Sequence, residues 1–272
     1  MKWTTAVSSV ALSLSLLGSP LAQAQSLQDV IDGEQRSAEN AARDKHRHPL
    51  QTLEFFEVEP NMTVVEIWPG GGWYTEILAP YLRDNGKFYA AHFPANIERE
   101  YYQRSRANFL DKMQSADWYD AVEVTEFSPT EASTIAPAGS VDRVLTFRNL
   151  HNWYMQAGED GVKAAFKDFY KALKPGGILG VVDHRLPEDR AQEDAKQSGY
   201  IKQSWAIQYA EEAGFELVAT SEINANSKDS SDWERGVWTL PPTYALGDED
   251  RDRYEAIGES DRFTLKFKKP EE

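Results

Sequence analysis

An open α/β domain built on a mostly parallel sheet is the fold class this sequence predicts, and three observations predict it. From Thr63 onward, β-branched and aliphatic runs alternate with helix-patterned ones, which implies parallel strands, right-handed crossovers and helices on both faces. The run Val64-Val65-Glu66-Ile67-Trp68-Pro69-Gly70-Gly71-Gly72-Trp73-Tyr74 passes from an apolar stretch through an acidic residue into a glycine cluster. The helix-patterned Thr75-Glu76-Ile77-Leu78-Ala79-Pro80-Tyr81-Leu82 follows at once. A strand, glycine-rich turn and helix in that order is how open α/β sheets hold a nucleotide-like cofactor, because a Cβ would block the backbone's approach to the ligand. Further on, Lys174-Pro175-Gly176-Gly177 stops a helix just before a short apolar strand at 178–182.

Taken in order, residues 1–24 read as a cleaved signal peptide. Lys2 is the one charge ahead of a small and apolar run from Ala6 to Leu21, and Ala22-Gln23-Ala24 supplies an A-x-A cleavage site. The run is too short and serine-rich for a membrane span, so the expectation is a periplasmic or secreted protein with no membrane insertion after cleavage. No cysteine is present, which excludes a disulfide framework and a lipoprotein anchor. Cleavage leaves 272 − 24 = 248 residues, enough for one large α/β domain.

Residues 25–60 read as an N-terminal helical segment, with a charged, alanine-rich and weakly periodic helix over 27–46 leading into His46-Arg47-His48-Pro49. In the α/β domain, 61–272, strands are expected at 63–68, 87–93, 121–127, 141–148, 178–182, 216–223 and 262–267. Helices are expected at 75–82, 97–113, 162–173 and 200–213, the last stopped by Gly214. Residues 224–261 are long, polar and short of helix signal until 250–257, the pattern of an insertion or lid. The formal charge is −15, and loss of Lys2 takes it to −16. Phosphate backbones and anionic membranes repel such a chain, so nucleic acid is excluded as a partner and a small-molecule substrate is expected.

Three stretches carry a resemblance: Glu66 to Gly72; Asp142-Arg143-Val144-Leu145-Thr146-Phe147-Arg148-Asn149-Leu150-His151-Asn152-Trp153; and Leu173-Lys174-Pro175-Gly176-Gly177. A fourth, Ala256-Ile257-Gly258-Glu259-Ser260-Asp261-Arg262, runs into the last strand. With these, the chain resembles the class I S-adenosylmethionine-dependent methyltransferases, and most closely an exported branch of unassigned substrate. The resemblance implies a Rossmann-like, seven-stranded sheet with its last strand antiparallel. S-adenosylmethionine would lie over the carboxyl ends of the first strands, and a small-molecule acceptor would take the methyl group. It implies that Glu66 organises the methionine amino group, that Gly70, Gly71 and Gly72 let the backbone approach it, and that Asn149 meets the methionine portion. Glu126 and Phe127 would flank the adenine.

Two positions depart from the family pattern. Trp68 replaces the first glycine of the turn, with Pro69 biasing it toward extended geometry. His92 stands at the end of the second strand, where an acidic residue usually takes both ribose hydroxyls, and a histidine offers only one hydrogen bond there.

Methyl transfer asks mainly for alignment, with a base where the acceptor carries a proton. The candidate bases are His151 and His184, which follow the fourth and fifth strands. Asp183 lies beside His184, and Tyr200 is a candidate for shaping the acceptor site. Asn152 and Trp153 offer a hydrogen bond and an apolar wall. Two alternatives stand beside this reading. His92, His151 and His184, with Asp183 near and His46 and His48 folding over, would make a metal-dependent enzyme. A scaffold that has lost its chemistry would make a non-catalytic ligand-binding protein, and would account for both Trp68 and His92.

Overall fold

The computed structural model describes residues 1 and 25–271, so apart from Met1 the signal-peptide segment lies outside the described residues. The strands are β1 (Thr63–Ile67), β2 (Lys87–His92), β3 (Val122–Glu126) and β4 (Val141–Phe147), then β5 (Leu173–Leu186), β6 (Ile201–Lys202), β7 (Glu216–Ser221) and β8 (Arg262–Lys268). They form one sheet in the order β3-β2-β1-β4-β5-β8-β7. The first five are parallel, and β8 is antiparallel to both β5 and β7, as expected for the last strand.

The seven expected strands are present, and β6 is an eighth. The helix expected from Tyr200 starts later because Ile201 and Lys202 are first drawn into pairing with Arg185 and Leu186. The Lys174-Pro175-Gly176-Gly177 stop lies inside β5: Val141 pairs with Leu173, yet Arg143 already pairs with Ile178. Gly176, at φ 76°, lets those extra residues loop out of register.

Both faces of the sheet are covered, which is why its central strands read as unbroken apolar runs. Val65, Ile67, Val144 and Val181 pack on one side with α7 (Leu150–Ala172) and α8 (Gln203–Glu212). Val64, Phe88, Leu145 and Val182 pack on the other with α5 (Thr75–Leu82). The helix α6 (Glu100–Met113) follows β2 and adds Phe109 to that second core. The helix expected at 162–173 begins twelve residues earlier, at Leu150, and bends at Gly158, where φ is 64°.

The single helix expected over 27–46 is three short ones: α1 (Leu27–Ile31), α2 (Ala38–Ala41) and α3 (Asp44–Arg47). The Ser37 side chain caps α2 through the Asn40 N–H, restarting the chain there. His48 ends α3 in the left-handed region at φ 42°, and Pro49 then opens α4 (Pro49–Phe55). The segment is tied down by buried Glu76, which receives Lys112 at 2.6 Å and Arg36 at 3.5 Å. Trp73 completes the tie by donating its indole N–H to the Asn40 carbonyl at 3.0 Å. These contacts set α3 beside the glycine turn. Among the described residues no helix is long and apolar enough to cross a membrane.

The chain leaves β1 toward β2 and β3 on one side, and reaches β4 and β5 on the other. Connections therefore diverge at the carboxyl ends of β1 and β4, and the crevice between them is where open α/β sheets take ligands.

Candidate functional site

A cavity of about 300 Å³ opens at that point. Glu66, at the end of β1, lines it, as do Gly70 and Gly71. Nothing lies within 4 Å of where a Cβ would sit on either glycine, so the turn offers bare backbone to the cavity. Gly70 sits at φ 59°, which glycine adopts without strain. Gly72 does not line the cavity: its Cβ position is closed by Thr75, Phe109 and Lys112, and its carbonyl receives Glu76 N–H at the start of α5.

Burial raises the Glu66 carboxyl to about 7, against the pull of its hydrogen bond from Thr75 and of the nearby Lys112 and Arg148 charges. The native state thus keeps a proton that the unfolded chain releases near 4.5. Native proton uptake exceeds that of the unfolded chain in this window, so Glu66 costs stability as pH rises through it, by ~1.4 kcal/mol per pH unit. Urea unfolding of wild type and Glu66→Gln at about pH 5 and about pH 7.5 measures this. The variant is expected to gain on the wild type at the higher pH, and a constant difference between them contradicts it.

Trp68 decides what else reaches the cavity. It holds φ 46°, an uncommon conformation for a bulky residue, and its indole turns toward the end of β3. The indole N–H donates to the Phe127 carbonyl at 3.0 Å. Its ring lies against Phe93, Tyr102, Phe127 and Trp153, with centroids 4.6, 5.8, 5.9 and 5.9 Å away. Trp68 is the wall shared by the main cavity and a second one of about 460 Å³, lined on the far side by Asn96, Arg99, Ser128 and Gln156.

Besides Gly72, and Asp183 behind His151, four sequence-assigned residues stay off the main cavity. Phe127 is packed in the core between Trp68 and Phe169. Glu126 points outward, accepting from Arg106 at 3.0 Å and from the Ala95 N–H. His92 is fully buried behind the turn; its Nδ1 accepts the Phe93 N–H at 2.8 Å, which leaves Nε2 to donate to the Gly70 carbonyl at 3.2 Å. Burial pushes its pKa down to about 4, so it braces the turn as a neutral ring. Tyr200 donates its hydroxyl to Asp229 at 3.0 Å. Asp229 also receives Trp233 Nε1 and the Asp261 N–H, so Tyr200 anchors the 224–261 segment instead of shaping the acceptor site.

Beyond β4 the assigned residues do converge. Asn149 lines the cavity and ties the diverging strand ends together, donating its amide to the Ile67 carbonyl at 2.8 Å. His151 lies on the first turn of α7, its Nδ1 at 2.8 Å from Asp183 Oδ1. Asp183 is held by three backbone donors: Leu150 N at 2.6 Å and His151 N at 3.4 Å on Oδ2, and His184 N at 2.7 Å on Oδ1. A carboxylate so fixed accepts the hydrogen bond from Nδ1–H and leaves Nε2 of His151 as the acceptor in the cavity. His184 lines the cavity too, its Nδ1 at 2.5 Å from Ser260 Oγ. Its pKa falls well below the usual value, through burial first and then the charges of His151 and Arg148, so it stays neutral.

The 224–261 segment supplies the opposite wall through Val237, Trp238, Pro241 and Pro242. A short 3₁₀ turn, Gly236–Thr239, carries the first two.

Several residues that line the cavity were not assigned from sequence. The 25–60 segment does fold over the site, but with Arg43 and Arg47 and not with His46 and His48, which line a separate cleft beside Gly258 and Arg262. Glu259 receives Arg43 at 2.8 Å, Arg47 at 3.0 Å and Arg262 at 3.1 Å. These cations hold its carboxyl well below the usual range although burial opposes them. Arg148 lines the cavity from just after β4, at φ 63°. Arg148 and Glu259 lay inside the quoted motifs, where nothing indicated that both reach the cavity; Arg43 and Arg47 read as ordinary helix-face charges.

The ligating atoms of His151, Asp183 and His184 lie within 4.8 Å of one another. His92, the other histidine of the metal alternative, is not with them. Both Nδ1 atoms and the carboxylate are already engaged, and Arg47 and Arg148 flank the group, so the surroundings oppose a cation.

Comparison of the whole structure with solved ones finds the same architecture. The crystal structure of the [4+2]-cyclase SpnF aligns over 90% of this chain and 91% of its own, at 18% identity and a TM-score of 0.57. A SAM-dependent methyltransferase from Aquifex aeolicus aligns over 90% of this chain and 99% of its own, at 16% identity and a TM-score of 0.51. The chain has the fold of the class I methyltransferases. No protein-family model matches its sequence, and no curated protein does.

Against S-adenosylmethionine, the residues fit one half. Glu66, Gly70, Gly71 and Asn149 line one cavity and suit an ammonium and a short chain. On the other side the Trp68 indole reaches toward Phe127 and stands between this cavity and the second one.

Proposed function

We propose that this chain is an S-adenosylmethionine-dependent methyltransferase acting on a small-molecule acceptor. His151 serves as the base and Trp68 is the group that must swing aside to admit the nucleoside. The observation that carries the reading is the His151–Asp183 pair, 2.8 Å apart, at the carboxyl edge of β4 and β5, with His151 in one cavity with the bare glycine turn. Bound cofactor supplies an activated methyl on its sulfonium. The protein's part is alignment and proton removal. Glu66 and Asn149 hold the amino-acid end. His151 Nε2 takes the acceptor's proton, and Asp183 steadies the imidazolium that results. His184 stays neutral and, with Ser260, fixes the far side of the acceptor. The 224–261 segment is the cover that keeps water out.

We also read the chain as exported, on the strength of the apolar run and the Ala22-Gln23-Ala24 site.

Incubation with S-adenosylmethionine carrying a labelled methyl group, against a panel of small acids, phenols and amines, tests the activity. Transfer of label to one class, lost in His151→Gln, is the expected result. The Trp68 position favours a second reading, a ligand-binding protein on a methyltransferase scaffold. Saturable binding of S-adenosylhomocysteine with no transfer to any acceptor would decide for it.

A further inference from the structure

The cavity carries more positive charge than its own carboxylates answer. Arg43, Arg47 and Arg148 line it. Glu259 is the carboxylate bonded to the cluster, and it is shared among Arg43, Arg47 and Arg262; Arg148 is not among its partners. Glu66, the other carboxylate on the wall, holds its proton up to about pH 7 and cancels little of this charge below that.

Arg47 carries the argument furthest. Its side chain is 2% exposed, only Nε reaches Glu259, and both Nη atoms are buried with no hydrogen-bond partner. A buried guanidinium with two unmet nitrogens is costly, and natural structures leave such groups where a ligand meets them. Arg148 stands in a strained left-handed conformation at φ 63°, as residues held for ligand contact often do. The chain as a whole carries −15, so this cationic lining is a local inversion and not a consequence of composition.

We propose that this cavity is an anion site in which the guanidinium groups of Arg47 and Arg148 bind a carboxylate or phosphate group, beside the His151–Asp183 pair. The proposal deepens the reading above and rests on it for the identity of the cavity. The planar fork of each guanidinium matches both anions, and pairing with them meets the free Nη donors. The Trp73, Trp238, Pro241 and Pro242 walls receive the uncharged remainder of the ligand. The anion belongs either to the acceptor or to the aminocarboxylate end of the cofactor.

Calorimetric titrations of the wild-type chain with inorganic phosphate, malonate, S-adenosylhomocysteine and 5′-methylthioadenosine test it, the last being the nucleoside without the carboxylate. Phosphate or malonate is expected to bind, and Arg148→Gln to weaken it about tenfold or more. Arg148 acts on Glu259 only through its charge and makes no bond to it, so this variant leaves the three bonded arginines in place; Arg47→Lys, which keeps charge and loses the fork, is the second. Binding that persists with saturating S-adenosylhomocysteine assigns the anion to the acceptor. Competition with S-adenosylhomocysteine but not with 5′-methylthioadenosine assigns it to the cofactor. Anion binding without any nucleoside binding upholds the site while removing the methyltransferase reading. No binding of phosphate, malonate or S-adenosylhomocysteine overturns the proposal, as does binding that neither variant weakens.

Discussion

A His151→Gln chain is expected to transfer methyl groups about 10²- to 10⁴-fold more slowly than the wild type, the range a positioned general base supplies. Its affinity for S-adenosylhomocysteine should stay within about twofold, because His151 faces the acceptor and not the glycine turn. The loss should fall on kcat. The imidazole has one fixed role: Nδ1 is committed to Asp183 at 2.8 Å, and Asp183 is itself locked by backbone donors from both sides. Asp183→Asn should therefore be nearly as damaging, since an amide in that position admits the wrong tautomer and places the proton on Nε2. Single-turnover rates for the two variants and their double mutant check this. A double mutant slower than the wild type by the product of the two single effects would show independent roles and contradict the paired base.

Trp68→Gly is the second large effect, and it acts in two directions. The indole is 5% exposed and packs on four aromatic rings while its N–H satisfies the Phe127 carbonyl. Its removal should cost ~3–5 kcal/mol of stability, as for other buried aromatic truncations. Relief of the residue's φ of 46° offsets about 1 kcal/mol of that. The same change joins the cavities of about 300 and about 460 Å³ into one trough running from Glu66 to Gln156. Affinity for S-adenosylhomocysteine should accordingly rise about tenfold or more. Urea unfolding and calorimetry on one preparation measure both. A destabilised variant with unchanged affinity would make Trp68 an ordinary core residue.

The architecture was legible because it is written in local patterns. Apolar runs buried on both faces mark β1, β2, β4 and β5, and the glycine turn marks the crevice. The element that eluded pattern, β6, exists only because Ile201 and Lys202 find partners on β5. The site was legible where a residue's role follows from its place at a strand end. Glu66, Gly70, Gly71, Asn149, His151 and His184 all reach the cavity. It failed where a side chain's direction decided. Trp68 stood out in sequence as a departure, but nothing local says that its indole crosses to Phe127 and displaces the role assigned to His92, Glu126 and Phe127. Arg43 and Arg47 were invisible for a related reason: they join Glu259 from 216 and 212 residues away in sequence, and such a pairing has no period to read.

The central claim is that this fold, so altered at Trp68, still receives the cofactor. Calorimetric titration of S-adenosylhomocysteine into the wild-type chain tests it most directly. The account predicts saturable one-to-one binding with Kd below about 1 mM, tightened by Trp68→Gly. No binding heat at millimolar ligand in either the wild-type or the Trp68→Gly chain, both folded, would contradict it.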